Sequence, residues 1–294
     1  MEIKIFGKDL KIKSLGCSEG NSAPQHIPPS VNLFVKLTNS CNANCPFCSN
    51  STEREEIINF DFVRFWILVD ELIARGILIN RINFTGGEPT LMKDLLYDLL
   101  ARLEHPKYSR IHVHLNSNGL LPVAKRIMRH PRINSISLSM HHYDKEKISE
   151  LYGATLSDDF FEYDGKILKK LNLSCNLIRG YVDSTGEIER MLKFAVDLNV
   201  RRIGFVALMK INKYCEDNYI DFEEIDFQSI PDLIFLKSQN RGCNCKCSNY
   251  KYTVGSRMLE VYIRNYSNPS FCESKLLYDG KHWKQGFQNE NIIY

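Results

Sequence analysis

The stretch VNLFVKLTNSCNANCPFCSN, residues 31–50, joins a short apolar run to a loop that carries three cysteines. The run VNLFVKL, residues 31–37, predicts a β-strand that leads directly into the loop. Cys41, Cys45 and Cys48 fall within eight positions of that loop. Three thiols so close together cannot all pair with one another, so the loop is expected to hold a ligand.

The rest of the sequence repeats a strand followed by a helix. Strand-like runs cover residues 31–37, 81–85, 110–115, 133–140, 173–180 and 201–209, and helical spacing covers 60–76, 91–103, 164–172 and 185–199. This alternation is typical of a parallel sheet built from right-handed βαβ units. About six units fit, fewer than the eight of a complete barrel. We therefore expect an α/β fold with a partial (β/α)6 TIM-like barrel, whose functional loops lie at the carboxyl ends of the strands.

The composition along the chain suggests four segments. Residues 1–30 form an N-terminal strand or hairpin with a polar lead-in, 31–209 the barrel, 210–240 a polar connecting segment, and 241–294 a small C-terminal domain. A metal centre would compensate for the small core that so short a C-terminal domain buries.

Composition and charge exclude several classes of protein. The chain has 294 residues, of which 44% are hydrophobic and 25% charged, as is usual for a soluble globular protein. A net charge of +3 is too small to indicate a nucleic acid or an anionic membrane as partner. The N-terminal MEIKIFGKDLKIK lacks the apolar core of a secretory signal, and no apolar run approaches the roughly 20 residues that cross a bilayer. We therefore expect a cytoplasmic protein.

Ten cysteines in a chain without an export signal indicate metal binding or catalysis, because the expected compartment is reducing. The spacing Cys-x3-Cys-x2-Cys of the loop allows two kinds of centre. Structural zinc is one, but a closed zinc site needs four ligands, and no fourth cysteine or histidine is near in sequence. An iron–sulfur cluster is the other, since three thiolates on a cube-shaped cluster leave one iron open for chemistry.

The segment CNANCPFC, residues 41–48, resembles the defining motif of the radical S-adenosylmethionine (SAM) enzymes, including the aromatic Phe47 before the last cysteine. GGEP, residues 86–89, resembles the glycine-rich motif that this family has after its second strand. The resemblance implies that the three cysteines ligate a [4Fe–4S] cluster whose open iron binds the amino and carboxylate groups of SAM. It further implies reductive cleavage of SAM to methionine and a 5′-deoxyadenosyl radical that abstracts hydrogen from a substrate.

The same resemblance implies a set of SAM-binding residues at the ends of successive strands. Gly86 and Gly87 would let the backbone approach the methionine end of SAM, and Glu88 would stabilise its amino group. The other members of the set are Phe47, Asn116, Asn118, Ser137, Ser139, Asn176 and Met209. A structural polar role is the alternative for the serines, and core packing is the alternative for Met209.

Residues 175–209 most resemble the MoaA-like GTP cyclases of molybdenum-cofactor synthesis. Those cyclases end in a Gly-Gly tail, whereas this sequence ends NENIIY, which argues against the same activity. The MoaA-like branch and the peptide-modifying twitch and SPASM branches carry auxiliary iron–sulfur clusters in their C-terminal regions. The resemblance therefore implies a second, auxiliary [4Fe–4S] cluster, with a zinc site or a three-ligand cluster with an open iron as alternatives. Its ligands would be some or all of Cys243, Cys245, Cys247 and Cys272.

Two classes of substrate are consistent with these features. A small nucleotide-like molecule fits the cyclase-like middle, with Arg179, Arg201 and Arg202 as phosphate contacts, and a ribosomal peptide fits the auxiliary cluster. Either reaction needs a one-electron donor such as flavodoxin or ferredoxin. Cys215, which follows the last barrel strand, is a candidate hydrogen donor or iron ligand, with an inert thiol as the alternative. The non-enzymatic alternative is a zinc-stabilised binding protein that uses the same cysteines.

Overall fold

An N-terminal hairpin precedes the main sheet. The computed structural model describes residues 2–12, 29–50, 57–238, 247–264, 275–286 and 292–294. In the first of these ranges β1 (Glu2–Ile5) pairs antiparallel with β2 (Lys8–Lys11). This hairpin agrees with the strand or hairpin expected at the N-terminus.

Six parallel strands, hydrogen-bonded in chain order, form the centre of the main sheet. With their helices they are β3 (Ser30–Lys36), α1 (Phe62–Ala74), β4 (Leu78–Thr85), α2 (Lys93–Leu103), β5 (His112–Ser117), α3 (Pro122–Met128), β6 (Ser135–Ser139), α4 (Lys145–Tyr152), α5 (Gly165–Leu168), β7 (Leu171–Leu177), α6 (Thr185–Asp197) and β8 (Arg202–Ala207). The α/β partial barrel predicted from the sequence is therefore confirmed. None of the helices within the described ranges is long and apolar enough to cross a membrane.

The first helix shows how local sequence produces these elements. Asp61 accepts a hydrogen bond from the backbone N–H of Arg64 and so caps the N-terminus of α1. One stripe of the helix is buried against the sheet: Phe65, Trp66, Leu68, Val69 and Leu72. The chain leaves the helix at Gly76, whose φ of +71° lies in the left-handed region that glycine adopts without strain.

Strands from the C-terminal part extend the sheet at both ends. β9 (Leu233–Ser238), β10 (Ser248–Val254) and β11 (Arg257–Arg264) are antiparallel to one another in turn, and β11 lies parallel to β8. At the other end β12 (Lys275–Tyr278) lies parallel to β3 and pairs with β13 (Trp283–Gln285). The connecting segment 210–240 holds a short helix, α7 (Lys213–Asp217), as well as β9. The boundaries of a separate C-terminal domain stay a prediction.

The two faces of the barrel sheet differ in chemistry. Outward-facing residues are apolar and buried beneath the helices, as Val31 and Leu33 are on β3. The residues between them point to the inner face and are half-buried, as Asn172, Ser174 and Asn176 are on β7. We call this inner face the lumen. Its polar, incompletely buried lining suits the binding of a ligand.

Arg81 and Arg202 lie on separate strands of the barrel sheet, and their charges interact. Burial lowers the pKa of Arg81 on β4, and the like charge of Arg202 on β8 lowers it further. Three strands separate β4 from β8 in the sheet. Charges act strongly on one another only over short distances in a partly solvated site. Both arginines occupy inner-face positions of their strands and therefore belong to the lumen.

Candidate functional site

The cysteine loop begins directly after β3, at the carboxyl edge of the sheet. Cys41, Cys45 and Cys48 are each half-buried. The backbone N–H of Ala43 donates to the sulfur of Cys41 at 3.4 Å, and that of Asn50 donates to the sulfur of Cys48 at 3.4 Å. Backbone donors of this kind stabilise sulfur ligands that carry negative charge.

The donor set of this loop fits an iron–sulfur cluster. Thiolates are soft ligands that favour iron–sulfur clusters and zinc over hard cations. Three of them on one loop suit a cubic cluster with one open iron. Among the described residues, no three His, Cys, Asp or Glu side chains are close enough together to hold a single metal ion. A cubic cluster does not need such a site, because each of its thiolate ligands binds a different iron.

The GGEP loop packs against the backbone of the cysteine loop. The N–H of Gly87 donates to the carbonyl of Thr38 at 2.7 Å, and that of Glu88 donates to the carbonyl of Ser40 at 2.9 Å. A Cβ on Gly86 would lie 2.2 Å from the carbonyl oxygen of Thr38, and one on Gly87 would lie 2.0 Å from that of Ser40. Both positions therefore need glycine for the two loops to touch.

The carboxylate of Glu88 is buried, with 1% of the residue exposed, and connects neighbouring loops. Its Oε1 accepts hydrogen bonds from the N–H and hydroxyl of Thr90 at 3.1 and 2.6 Å and from the hydroxyl of Ser117 at 2.9 Å. Its Oε2 accepts from the N–H of Asn118 at 2.8 Å. Burial raises the pKa of Glu88, and these hydrogen bonds oppose the rise. The side chain thus ties the GGEP loop to the end of β5, and its contact with SAM stays a prediction.

Two predicted asparagines lie at the end of β5 and point in different directions. The Asn118 amide donates to Oδ1 of Asn42 at 2.9 Å and to the sulfur of Cys41 at 3.6 Å. The Asn116 amide donates to the carbonyl of Phe84 at 3.3 Å. Asn118 therefore contacts the cysteine loop itself, whereas Asn116 lies on the lumen side of β5.

The short helix α7 is attached to the cysteine loop. The Asn212 side chain accepts from the N–H of Cys215 at 2.8 Å and donates to the carbonyl of Pro46 at 3.0 Å. The Cys215 thiol is fully buried in an apolar cluster that includes Phe47. Burial raises the pKa of Cys215, and Cys48 adds to that rise. The predicted Cys215 and Phe47 are thus brought together beside the cysteine loop.

The remaining predicted SAM-binding residues line the lumen or its rim. Ser137 and Ser139 are half-buried on β6, on the side opposite its core residues, and Asn176 is placed in the same way on β7. Met209, just beyond β8, is 38% exposed and is therefore not a core residue. The contact of these four residues with SAM stays a prediction.

Two histidines on the lumen side of β5 were missed by the sequence analysis. Nε2 of His112 lies 2.6 Å from the hydroxyl of Ser135, and the ring of His114 bridges Ser135 at 2.7 Å and Ser137 at 3.1 Å. Burial, with the charge of Arg81 adding to it, lowers the pKa of His112 to about 4 and that of His114 to about 3. Both rings are therefore neutral near neutral pH. The period-two alternation along β5 is the signal that places them on the same face as Asn116.

The lumen carries positive charge. Nε of Arg202 donates to a carboxylate oxygen of Glu260 at 2.9 Å. The guanidinium groups of Arg202 and Arg264 stand 4.8 and 4.7 Å from the centre of the Tyr262 ring. The like charge of Arg202 adds to burial in lowering the pKa of half-buried Arg81. Arg81 and Arg264 lie in no motif, so neither could be identified from the sequence.

Of the three arginines expected to contact phosphate, only Arg202 lies in the lumen. Arg179 pairs with Glu224 at 3.1 Å, and half of its side chain is exposed. The Arg201 side chain is 74% exposed. These two arginines are surface residues.

One of the four cysteines predicted to hold an auxiliary cluster lies in the described residues. Cys247 is buried and lies directly before β10. Ser248 pairs with Ile263 near the end of β11, and β11 is parallel to β8. Cys247 therefore lies at the carboxyl edge of the sheet, as the cysteine loop does. The other three, Cys243, Cys245 and Cys272, lie outside the described residues.

Comparison with known proteins gives one family and several relatives. The model of the radical SAM superfamily matches residues 35–195, more than half of the chain. A probable GTP 3′,8-cyclase of Saccharolobus islandicus is 26% identical over 277 residues, which cover 90% of this chain and 85% of the relative. One from Thermoplasma volcanium is 27% identical over 264 residues, which cover 83% of this chain and 75% of the relative.

Solved structures show the same fold. Streptococcus suis SuiB bound to S-adenosylmethionine superposes with a TM-score of 0.51 and 20% identity, covering 63% of this chain and 42% of SuiB. A radical SAM methyltransferase from Sphaerobacter thermophilus superposes with a TM-score of 0.50 and 15% identity, covering 67% of this chain and 61% of that protein. This chain thus spans less than two thirds of either protein, and at these identities the likeness shows the fold alone.

Proposed function

The chain belongs to the radical SAM superfamily, and we propose that it is an enzyme acting on a small, anionic, nucleotide-like substrate bound in the lumen. Membership in this superfamily implies a [4Fe–4S] cluster and SAM as cofactors. The substrate class is inferred from the charge of the lumen. This substrate class agrees with the names of two relatives, both probable GTP 3′,8-cyclases, since the substrate in that name is a nucleotide.

The cysteine loop and the loops that pack on it would hold the cluster. Cys41, Cys45 and Cys48 would supply three thiolates, and the GGEP loop fixes the backbone between β3 and these ligands. When bound and reduced by a donor such as flavodoxin or ferredoxin, the cluster supplies the electron that cleaves SAM to methionine and a 5′-deoxyadenosyl radical. The reaction would require that water and oxidants be kept from the reacting centre.

The observation that carries the substrate class is the charge of Arg81. A half-buried guanidinium is costly to desolvate, and the like charge of Arg202 lowers the pKa of Arg81 further. An anionic ligand would supply the missing counter-charge. Guanidinium groups bind phosphate oxygens in pairs of parallel hydrogen bonds, so phosphate is the preferred anion.

The position of Arg81 along its strand sets the orientation of the substrate. Arg81 pairs with Asn32 and His112 on the neighbouring strands, whereas Thr85 ends β4 at the rim. Four residues of strand correspond to about 13 Å. The phosphate end of the substrate would therefore lie deep in the lumen, and its reacting carbon would lie near the rim, below the cysteine loop.

Two further roles complete the proposal. Cys247 would be one ligand of an auxiliary [4Fe–4S] cluster, with Cys243, Cys245 and Cys272 as the other candidates. Its place at the same edge of the sheet as the first cluster supports this role. Cys215 would act as a hydrogen-atom donor, since burial keeps its thiol in the neutral S–H form.

The experiment that tests the substrate class uses protein reconstituted anaerobically with iron and sulfide. With SAM and dithionite present, GTP and other nucleoside phosphates should accelerate formation of 5′-deoxyadenosine, whereas the phosphate-free nucleosides should not. Arg81→Gln should raise the nucleotide concentration needed for half-maximal acceleration by roughly 10-fold or more, because a hydrogen-bonded charge pair contributes about 1.5–3 kcal/mol.

The matched control is Arg179→Gln, which removes a surface ion pair with Glu224 and should leave that concentration unchanged. Acceleration by a nucleoside equal to that by its phosphates would contradict an anionic substrate. An Arg81→Gln variant that behaves like the wild type would contradict the placement of the phosphate.

A further inference from the structure

Asn118 lies between a buried carboxylate and a predicted cluster ligand, and every polar group of its side chain is engaged. Its backbone N–H donates to Glu88 at 2.8 Å, and its Oδ1 accepts from the N–H of Leu120 at 3.0 Å. Its Nδ2 donates to Oδ1 of Asn42 at 2.9 Å and to the sulfur of Cys41 at 3.6 Å. The residue is 8% exposed, so water competes little with these contacts.

The bond from Leu120 decides which end of the amide faces the sulfur. A backbone N–H can donate only to the amide oxygen, so the nitrogen end must point the other way. The partner on that side, Oδ1 of Asn42, is an acceptor and requires a donor opposite it. The Leu120 contact therefore directs an N–H toward the sulfur of Cys41, and the contact with Asn42 agrees with that orientation.

We propose that Asn118 is a positioning residue that holds the Cys41 sulfur in place as a cluster ligand and raises the reduction potential of the cluster through its N–H···S hydrogen bond. The inference rests on the proposed function, because it requires Cys41 to bind iron. Reduction adds negative charge to the cluster and its sulfur ligands, and a hydrogen-bond donor stabilises the more negative state.

Glu88 has a defined part in this arrangement. Its buried carboxylate binds the N–H of Asn118 and the hydroxyl of Ser117, which fixes the backbone from which the amide projects. The Ser117 hydroxyl also accepts from the N–H of Gly119 at 3.0 Å. The GGEP loop therefore acts on Cys41 through Asn118 as well as through its direct packing on the cysteine loop.

The first experiment measures the cluster without SAM in Asn118→Asp, whose side chain keeps the shape and the acceptor for Leu120 but replaces the N–H donor with a charged oxygen. The midpoint potential, followed by electron paramagnetic resonance during redox titration, should shift to a more negative value, or the iron content per chain should fall. Asn172→Asp is the control, because it loses a similar bond, Nδ2 to the Ile136 carbonyl at 3.0 Å, lower in the barrel. Unchanged potential and iron content in Asn118→Asp would overturn the proposal.

The second experiment needs no cluster. In apoprotein labelled with iodoacetamide and digested for mass spectrometry, Asn118→Ala should make Cys41 react several-fold faster relative to Cys48, because the amide no longer covers the sulfur. An unchanged Cys41-to-Cys48 ratio would overturn the proposal even where the cluster assembles. Wild-type protein that binds no iron would instead refute the proposed function, and the labelling ratio would still decide whether Asn118 holds Cys41.

Discussion

The contact between the GGEP loop and the cysteine loop predicts that Gly87→Ala damages the protein far more than a glycine-to-alanine change elsewhere. A Cβ at Gly87 would lie 2.0 Å from the carbonyl oxygen of Ser40 and 2.6 Å from that of Asn39, and both are backbone atoms that cannot rotate away. Relief requires the two loops to separate by more than 1 Å, given an ordinary contact distance of about 3.5 Å.

The cost follows from what that separation breaks. Two backbone hydrogen bonds join the loops, from Gly87 to Thr38 at 2.7 Å and from Glu88 to Ser40 at 2.9 Å. Each is worth about 0.5–1.5 kcal/mol, and the steric overlap adds about 1–3 kcal/mol. The free energy of unfolding should therefore fall by about 2–6 kcal/mol, which lowers Tm by roughly 3–10 °C for a chain of this size.

Gly186→Ala is the matched control for this change. A Cβ at Gly186 meets nothing within 4 Å, and the residue lies in α6, where alanine is preferred over glycine by up to about 1 kcal/mol. Urea and thermal unfolding of the apoproteins should therefore move in opposite directions for the two variants. Equal stability of Gly87→Ala and the wild type would refute the packing of the loops, and with it the explanation of why this motif needs glycine.

Three further predictions concern the lumen and α7. Acidification from about pH 7 to about pH 5 should lower the free energy of unfolding, because His112, with a pKa of about 4 when folded, takes up its proton first in the unfolded chain. In urea titrations, His112→Gln should reduce the loss of unfolding free energy between about pH 7 and about pH 5. The same loss in His112→Gln and the wild type would contradict the burial of the His112 ring. Asn212→Ala should destabilise α7 by about 1–2 kcal/mol and speed hydrogen exchange at Cys215, whereas Asn212→Ser, which keeps a cap, should do so less. Gly204→Val should leave stability within about 1 kcal/mol, since a Cβ there meets no atom closer than 3.8 Å. The same change should reduce nucleotide-stimulated turnover by filling the lumen, and unaltered turnover would place the substrate elsewhere.

The sequence predicted the barrel because its evidence is local. Alternating strands and helical stripes such as that of α1 are visible within a window of a dozen residues. Three short helices, α3, α4 and α7, were not identified, since seven, eight and five residues give too few turns for a clear period. The pairing of β11 with β8 and of β12 with β3 joins segments far apart in the chain, and no local pattern specifies such partners.

The candidate site also has a part that the sequence predicts and a part that only the fold reveals. The cysteines and GGEP are contiguous motifs whose chemistry is readable from residue type and spacing. The network from Glu88 through Asn118 to Cys41 spans three loops, and the charge of the lumen comes from Arg81, Arg202 and other residues on separate strands. Such groupings exist only once the sheet is curved, so the sequence identified Glu88 and Asn118 but not the bonds between them.

The most direct test of the account is anaerobic reconstitution of wild-type protein and of Cys45→Ala, followed by incubation with SAM and dithionite. Wild-type protein should bind iron and sulfide at the cysteine loop and release methionine and 5′-deoxyadenosine, and Cys45→Ala should release neither. Wild-type protein that binds only zinc and forms no 5′-deoxyadenosine, or a Cys45→Ala variant as active as the wild type, would contradict the claim that these three thiols hold a cluster that cleaves SAM.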